Sequence, residues 1–447
     1  MPDIYEIVNA TQLDSDLGDI ADAIRAKSQG QDPLLFPSEF ISEIGSIPTG
    51  ASITGQTDVT VKAMETIAEG DTLYIYKKYQ SLINPTALPP QPANGCAWSP
   101  NGSRLAIACA NSPRIVIYDT TTTPYTKLAN PNTIPTGDGY SCAWSPDGTR
   151  LAVAHSSSPN ISIYDTTTTP YTKLANPGTL PAGTSYGCAW SPDGTRLAVA
   201  HYSSPYITIY DTTTTPYTKI SDPNTLPTGG GRGCAWSPDG TRLAIAHATT
   251  PFITIYDTTT TPYTKLSNPG TLPTGQGNGC AWSHNGTRLA VAHNTSPFVT
   301  IYDTSSTPYS KISNPATIPN GIAYGCAWSP DDARLAVAAT NKPFLRLYDS
   351  TSTPYTIEAN LSPLPALTSS YATKCCAFSP DGKFLAVGEP QSPWFAVYNV
   401  SSQAYASKAS NKSIVLEYGN SYGGSYGYAK SSVLSGYTGT AAVLFEP

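Results

Sequence analysis

Seven copies of one unit, each opening like GCAWSPDGTRLAVAH and closing like ITIYDTTTTPYTKL, run head to tail through the chain. Their aligned cysteines are Cys96, Cys142, Cys188, Cys234, Cys280, Cys326 and Cys376; the first six recur every 46 residues and the seventh follows after 50. A period of that length marks a chain that stacks like units, each too small to bury its own apolar face. Within a unit, GCAWS alternates small and large residues, RLAVAH is a short apolar run, ITIYD alternates again, and YTKL reads as a weaker fourth strand. Four strands per unit make a propeller blade. The expected fold is therefore all-β, a seven-bladed β-propeller of four-stranded blades over residues 79–410.

The turn between the first two strands is SPDG, with Asp-Gly at 147–148, 193–194, 239–240 and 381–382 and Asn-Gly at 101–102 and 285–286. These pairs tolerate the positive φ of a tight hairpin. Asp331-Asp332 breaks the pattern, so that hairpin is expected to turn differently. Closing the ring requires a strand from one end of the chain to complete the blade at the other. YQSLINPTALP at 79–89 matches YTKLANPGTLP at 171–181, so the N-terminal side is favoured over residues 405–408 as the closing strand.

Charged residues are 13% of the chain and the formal net charge is −6, with no Lys/Arg cluster, which argues against a nucleic-acid surface. The start MPDIYEIVNATQLDSDLGD has neither a basic nor an apolar segment of a secretion signal, and nowhere do 18 apolar residues run together, so no membrane insertion is expected. An odd ring of seven equivalent cysteines cannot pair among itself, and reads as buried, reduced thiols. His155, His201, His247 and His293 recur at the end of the second strand. Spread around a ring, they stand too far apart to share one metal ion and read as blade packing. The Asp that ends each third strand reads as turn chemistry. With no nucleophile–base pair, phosphate loop or paired carboxylates outside the repeat, neither an enzyme nor a cofactor is expected.

The SPDG turn and the third strand ending in Tyr-Asp, as at Tyr164-Asp165 and Tyr256-Asp257, resemble the WD-repeat family, where that strand ends in Trp-Asp. The last unit has Tyr398-Asn399, and the Gly-His that usually precedes the first strand is missing, so the family's His-centred network is not carried over. The resemblance implies architecture and almost nothing about function. On the flanks, Leu13, Leu17, Ile20 and Ile24, then Phe40, Ile41, Ile44 and Ile47, form two helical stripes with no partner of their own. IADAIRAKSQGQDPLLFPSEFISEIGSI resembles a leader of tail and appendage proteins of phages and prophages of Gram-positive bacteria. That resemblance implies that residues 1–50 attach the chain to other virion proteins or make it a homo-oligomer, a trimer if it follows phage fibres. Residues 52–76 and 411–447 resemble the two halves of a small β-module of phage structural proteins, here split by the propeller.

The repeats diverge on one face only. Two positions before the aligned Cys stand Asn94, Tyr140, Tyr186, Arg232, Asn278, Tyr324 and Lys374, and just before the third strand Arg114, Asn160, Tyr206, Phe252, Phe298, Phe344 and Trp394. The opposite face repeats SPDG and TTTTP almost unchanged. These residue types stack on and hydrogen-bond to sugars or protein loops, so they are the candidate ligand-binding positions. The expected function is that of a virion appendage whose propeller binds a host-surface glycan or protein. The alternatives are a structural or capsid-decorating virion protein with the propeller as spacer, and a cellular scaffold of the WD-repeat kind.

Overall fold

The computed structural model describes residues 61–63, 72–77, 79–82, 84–85, 87–359, 361–362, 373–389, 392–401, 404–408, 415–416, 425–429 and 443–445. The two helical stripes of residues 1–50 lie outside the described residues. The chain divides into two compact units, Gln80–Val400 and the two flanks together.

The larger unit is a seven-bladed propeller. Six blades are four-stranded antiparallel sheets laid out in chain order, as in Gly139–Trp144, Arg150–His155, Ile161–Asp165 and Thr172–Lys173. The seventh has three strands of its own, Cys376–Phe378, Phe384–Gly388 and Phe395–Asn399. Its outer edge is covered from the N-terminal side: Ser81 bridges Tyr398, and the Leu82 amide donates to the Val397 carbonyl at 2.7 Å. Ala404–Lys408 instead joins the sheet of the other unit, between Val61–Ala63 and Thr72–Lys77. That six-stranded sheet continues through Val415–Leu416 and Ser425–Ala429 to Val443–Phe445.

The core lies between blades, and the run RLAVAH explains why. Successive side chains of a strand face opposite ways. In the second blade Leu151 and Val153 face back onto Ala106, Ala108, Ile115 and Ile117 of the first, while Ala152 and Ala154 face forward onto Leu197 and Val199 of the third. Each seam thus sets large residues against small ones, and the interdigitation repeats around the ring.

Trp144 adds a polar fastener, its Nε1 donating to Ala97 O of the preceding blade at 3.1 Å, while its ring meets Tyr171 edge-on at 6.1 Å. The aligned cysteines do the same more weakly, with Sγ directed at an alanine carbonyl of the preceding blade, as in Cys142 to Ala106 at 3.6 Å. All nine cysteines are free. Cys142, Cys188 and Cys376 are buried, whereas Cys96, Cys234, Cys280 and Cys326 are only partly so. The expectation of seven buried thiols is corrected to that extent, because the first strands line the centre of the ring.

The hairpin at Asp331-Asp332 also departs from expectation. Asp332 takes φ 57°, close to the 71° of Gly148 in the second blade, and its amide donates to Ser329 O just as that of Gly148 donates to Ser145 O. Asp tolerates the left-handed region better than most side chains, so the turn is preserved. The carboxylate bonds the amides of His284 and Asn285 in the adjacent blade, at 2.6 and 2.8 Å.

Candidate ligand-binding face

In six blades the first strand carries a β-bulge two residues before the aligned cysteine. In the second blade Gly139 pairs with His155 and Ser141 with Ala154, which leaves Tyr140 as the extra residue. The same register shift isolates Asn94, Tyr186, Arg232, Asn278 and Tyr324. A bulge turns its extra side chain out of the regular alternation. Six of the seven variable positions that precede the aligned cysteines are thus bulge residues, with Lys374 in the corresponding place of the last blade.

Several of these residues meet across blades. The rings of Tyr140 and Tyr186 lie 5.1 Å apart at 52°, and the Arg232 guanidinium sits over Tyr186 at 5.0 Å from its centroid. Such a cation–aromatic contact holds the charge in place without neutralising it. On the other side, Lys374 Nζ donates to Asn94 Oδ1 at 2.9 Å, and Asn94 Nδ2 to Gly139 O at 2.9 Å. Asn278 Nδ2 donates to Ala323 O at 2.9 Å and its Oδ1 accepts from Gln276. Asn94 and Asn278 therefore spend amide groups on neighbouring blades, and the aromatic–Arg cluster of the second to fourth blades is the sector with ring faces and a cation to offer. Tyr324 is half-buried and Lys374 exposed.

The residues before the third strand are built differently. Arg114, Asn160, Tyr206, Phe252, Phe298, Phe344 and Trp394 all take φ between 60° and 71°. Each of their carbonyls receives an amide from the end of the second strand, as in His155 N to Asn160 O at 3.0 Å. Asn160 and Phe344 are buried, and Asn160 bonds Ser156 O through its side chain. Phe298 packs against the core between the fifth and sixth blades, and Arg114 Nη1 donates to Pro135 O at 3.1 Å. Tyr206, Phe252 and Trp394 are half-buried. This second set closes turns and covers blade edges.

Three residues escaped the sequence reading. Tyr202, 59% exposed, lies beside Gly230, where a Cβ would come within 3.3 Å of its ring carbon Cδ2. The glycines at 229–231 are themselves buried and closely packed: a Cβ there would meet Thr249, Tyr202 and Tyr206 within 3.0 Å. Glu389 is buried in the last blade at the place His155 holds in the second, and burial pushes its carboxyl up to about 7. Cys375 replaces the glycine that precedes most aligned cysteines.

The recurring histidines are fully buried, with Nε2 2.9–3.0 Å from the hydroxyls of Ser162, Thr208, Thr254 and Thr300 on the adjacent strand. Burial lowers each to about 4, so they are neutral at physiological pH. Among the described residues no three His, Cys, Asp or Glu side chains converge to hold a metal ion, and no helix is long and apolar enough to cross a membrane. The aspartates ending the third strands bond the turn that follows, as Asp165 does with the amide and hydroxyl of Thr167, and meet an arginine of the second strand at 2.9–3.4 Å in the first five blades.

No protein-family profile and no curated protein matches the chain. Solved structures do. Kuenenia stuttgartiensis hydrazine synthase is similar at 19% identity with a TM-score of 0.53, over 71% of this chain and 98% of that one. A chain of a mitotic checkpoint complex is similar at 18% identity with a TM-score of 0.56, over 73% of this chain and 93% of that one. At such identities the likeness speaks for architecture alone, and what it identifies is a WD-repeat-like seven-bladed β-propeller.

Proposed function

We propose that the chain is a structural protein of a phage virion appendage whose propeller binds a host-surface ligand through the mouth lined by the bulged residues. The observation that carries the binding role is the cluster of Tyr140, Tyr186 and Arg232 on three consecutive bulges. Flat aromatic faces beside an unneutralised guanidinium suit a sugar ring or a protein loop carrying an acidic group. The virion setting rests on the leader resemblance of residues 1–50 and on the split flanking segments. A second reading, the propeller as a spacer, draws support from the second set of candidates, which are occupied with turns and packing.

The test is adsorption of the purified chain to host envelopes, comparing the native protein with a Y140A/Y186A/R232A variant. Loss of adsorption with an unchanged melting transition supports the binding role. Unchanged adsorption removes this mouth as the site, and no adsorption by the native chain favours the spacer.

A further inference from the structure

We propose that Cys96 and Cys375 form an oxidative cross-link site that fastens the last blade covalently to the first. The argument rests on the ring of residues that directly precede the aligned cysteines: Gly95, Ser141, Gly187, Gly233, Gly279, Gly325 and Cys375. This position faces the following blade at very close range. A Cβ built on Gly187 would lie 3.4 Å from the backbone nitrogen of Cys234, and one on Gly233 3.6 Å from that of Cys280. Where a side chain is present, it meets the thiol of the next blade: Ser141 Oγ lies 3.9 Å from Cys188 Sγ.

Cys375 holds the place of Ser141 in the last blade, and the blade that follows it around the ring begins with Cys96. Contacts at the seam agree. Cys96 Sγ points back at Ala386 O, 3.8 Å away, while Cys375 Sγ occupies the space beside Gly388, 2.5 Å from where a Cβ would stand. A Cβ on Gly388 would also stand 3.0 Å from Ala93 O of the first blade, so Cys375 Sγ lies on the side of that strand that faces the first blade, the blade that carries Cys96. Neighbouring Cys376 is no competitor, because its Sγ points the opposite way, to Ala336 O of the preceding blade at 3.8 Å.

Cys96 is partly buried and Cys375 buried, so the oxidant has to be small. With an azodicarboxamide oxidant such as diamide, the two S–H bonds break and one S–S bond forms. Two protons and two electrons pass to the N=N group, which becomes a hydrazine. The neighbouring Cys375 thiol and burial hold the Cys96 thiol well above its usual range. The thiolate is the attacking species, so oxidation is slow near neutral pH and quickens as pH rises. The product spans almost the whole propeller, and long loops restrict the unfolded chain most.

The test treats the full native chain with diamide, blocks remaining thiols, and maps peptides without reduction. Expected are a linked peptide pair carrying Cys96 and Cys375, and a denaturation midpoint that rises and returns on reduction. C375S keeps the residue type already found at Ser141, so it should fold and lose both the link and the shift. S141C should gain a second link, to Cys188. The proposal is overturned if Cys96 and Cys375 stay free under conditions where S141C links to Cys188, if S141C forms no link, or if Cys96 is found joined to another cysteine in the native chain.

Discussion

Trp98 Nε1 donates to Ala377 O at 3.1 Å, joining residues 279 positions apart across the seam between the last blade and the first. The same bond recurs at every internal seam but one: Trp144 to Ala97, Trp190 to Ala143, Trp236 to Ala189, Trp282 to Ala235 and Trp328 to Ala281. In the last blade Phe378 takes the tryptophan's place, so the motif there packs without donating. A propeller is a closed cycle of like interfaces, and the one the chain must close last is held by this indole, by Leu82 and by the packing of Phe395 and Val397 on Val116 and Tyr118.

W98F should therefore cost about 0.5–1.5 kcal/mol, the usual net contribution of one hydrogen bond. W190F deletes an equivalent bond at a seam where the chain already runs from one blade directly into the next. Chemical denaturation of the two variants should show a lower midpoint and faster unfolding for W98F. Equal values would mean that the closing seam is no weaker than the others.

Asp332 gives a second comparison, because two effects oppose each other at one residue. Its φ of 57° favours glycine, yet its carboxylate holds the His284 and Asn285 amides of the adjacent hairpin. D332G relieves the backbone and loses the bonds; D332A loses the bonds and keeps the strain. Since a left-handed non-glycine residue costs on the order of 1 kcal/mol, D332A should be the less stable of the two by about that amount. Thermal melts of both variants beside the native chain decide it, and a D332A at least as stable as D332G would refute the account.

The blade plan was legible because the repeat states it seven times, and errors in one copy are outvoted by the others. The candidate site was legible only in part. Variation at Tyr140, Tyr186 and Arg232 marked their positions, but a bulge is a matter of register, and nothing local to GYSCAW says that one residue is surplus until its pairing with RLAVAH is counted. Phe298 and Phe344 misled for a different reason. An aromatic ring before a strand looks the same in sequence whether it faces a ligand or lies across the blade edge, and here a left-handed backbone turns it onto the protein. Asp332 shows the converse limit: its residue type suggested a different turn, while the surrounding Ser329 and Arg334 held the same one.

Buried titratable groups make the propeller's stability depend on pH in two opposing ways. His155, His201, His247 and His293 are lowered to about 4 in the folded state, against about 6.5 for an exposed histidine. The unfolded chain therefore binds more protons as pH falls from about 6.5 to 4, and stability is lost over that window. Glu389 has the opposite sign. Ala396 stands where Thr208 supplies a hydroxyl to His201, and burial raises the Glu389 carboxyl to about 7. Between about 4.5 and 7 the folded state keeps a proton that the unfolded state has released, so this residue stabilises below that window and destabilises above it. Four groups outweigh one, and the native chain should lose stability steeply below pH 6. E389Q isolates the single carboxyl: at about 1.4 kcal/mol per pH unit, it should gain on the order of 3 kcal/mol relative to the native chain above pH 7 and nothing below pH 4.5. Denaturation midpoints of both proteins across pH 4–8 test this, and two parallel curves would show that Glu389 does not titrate within the fold.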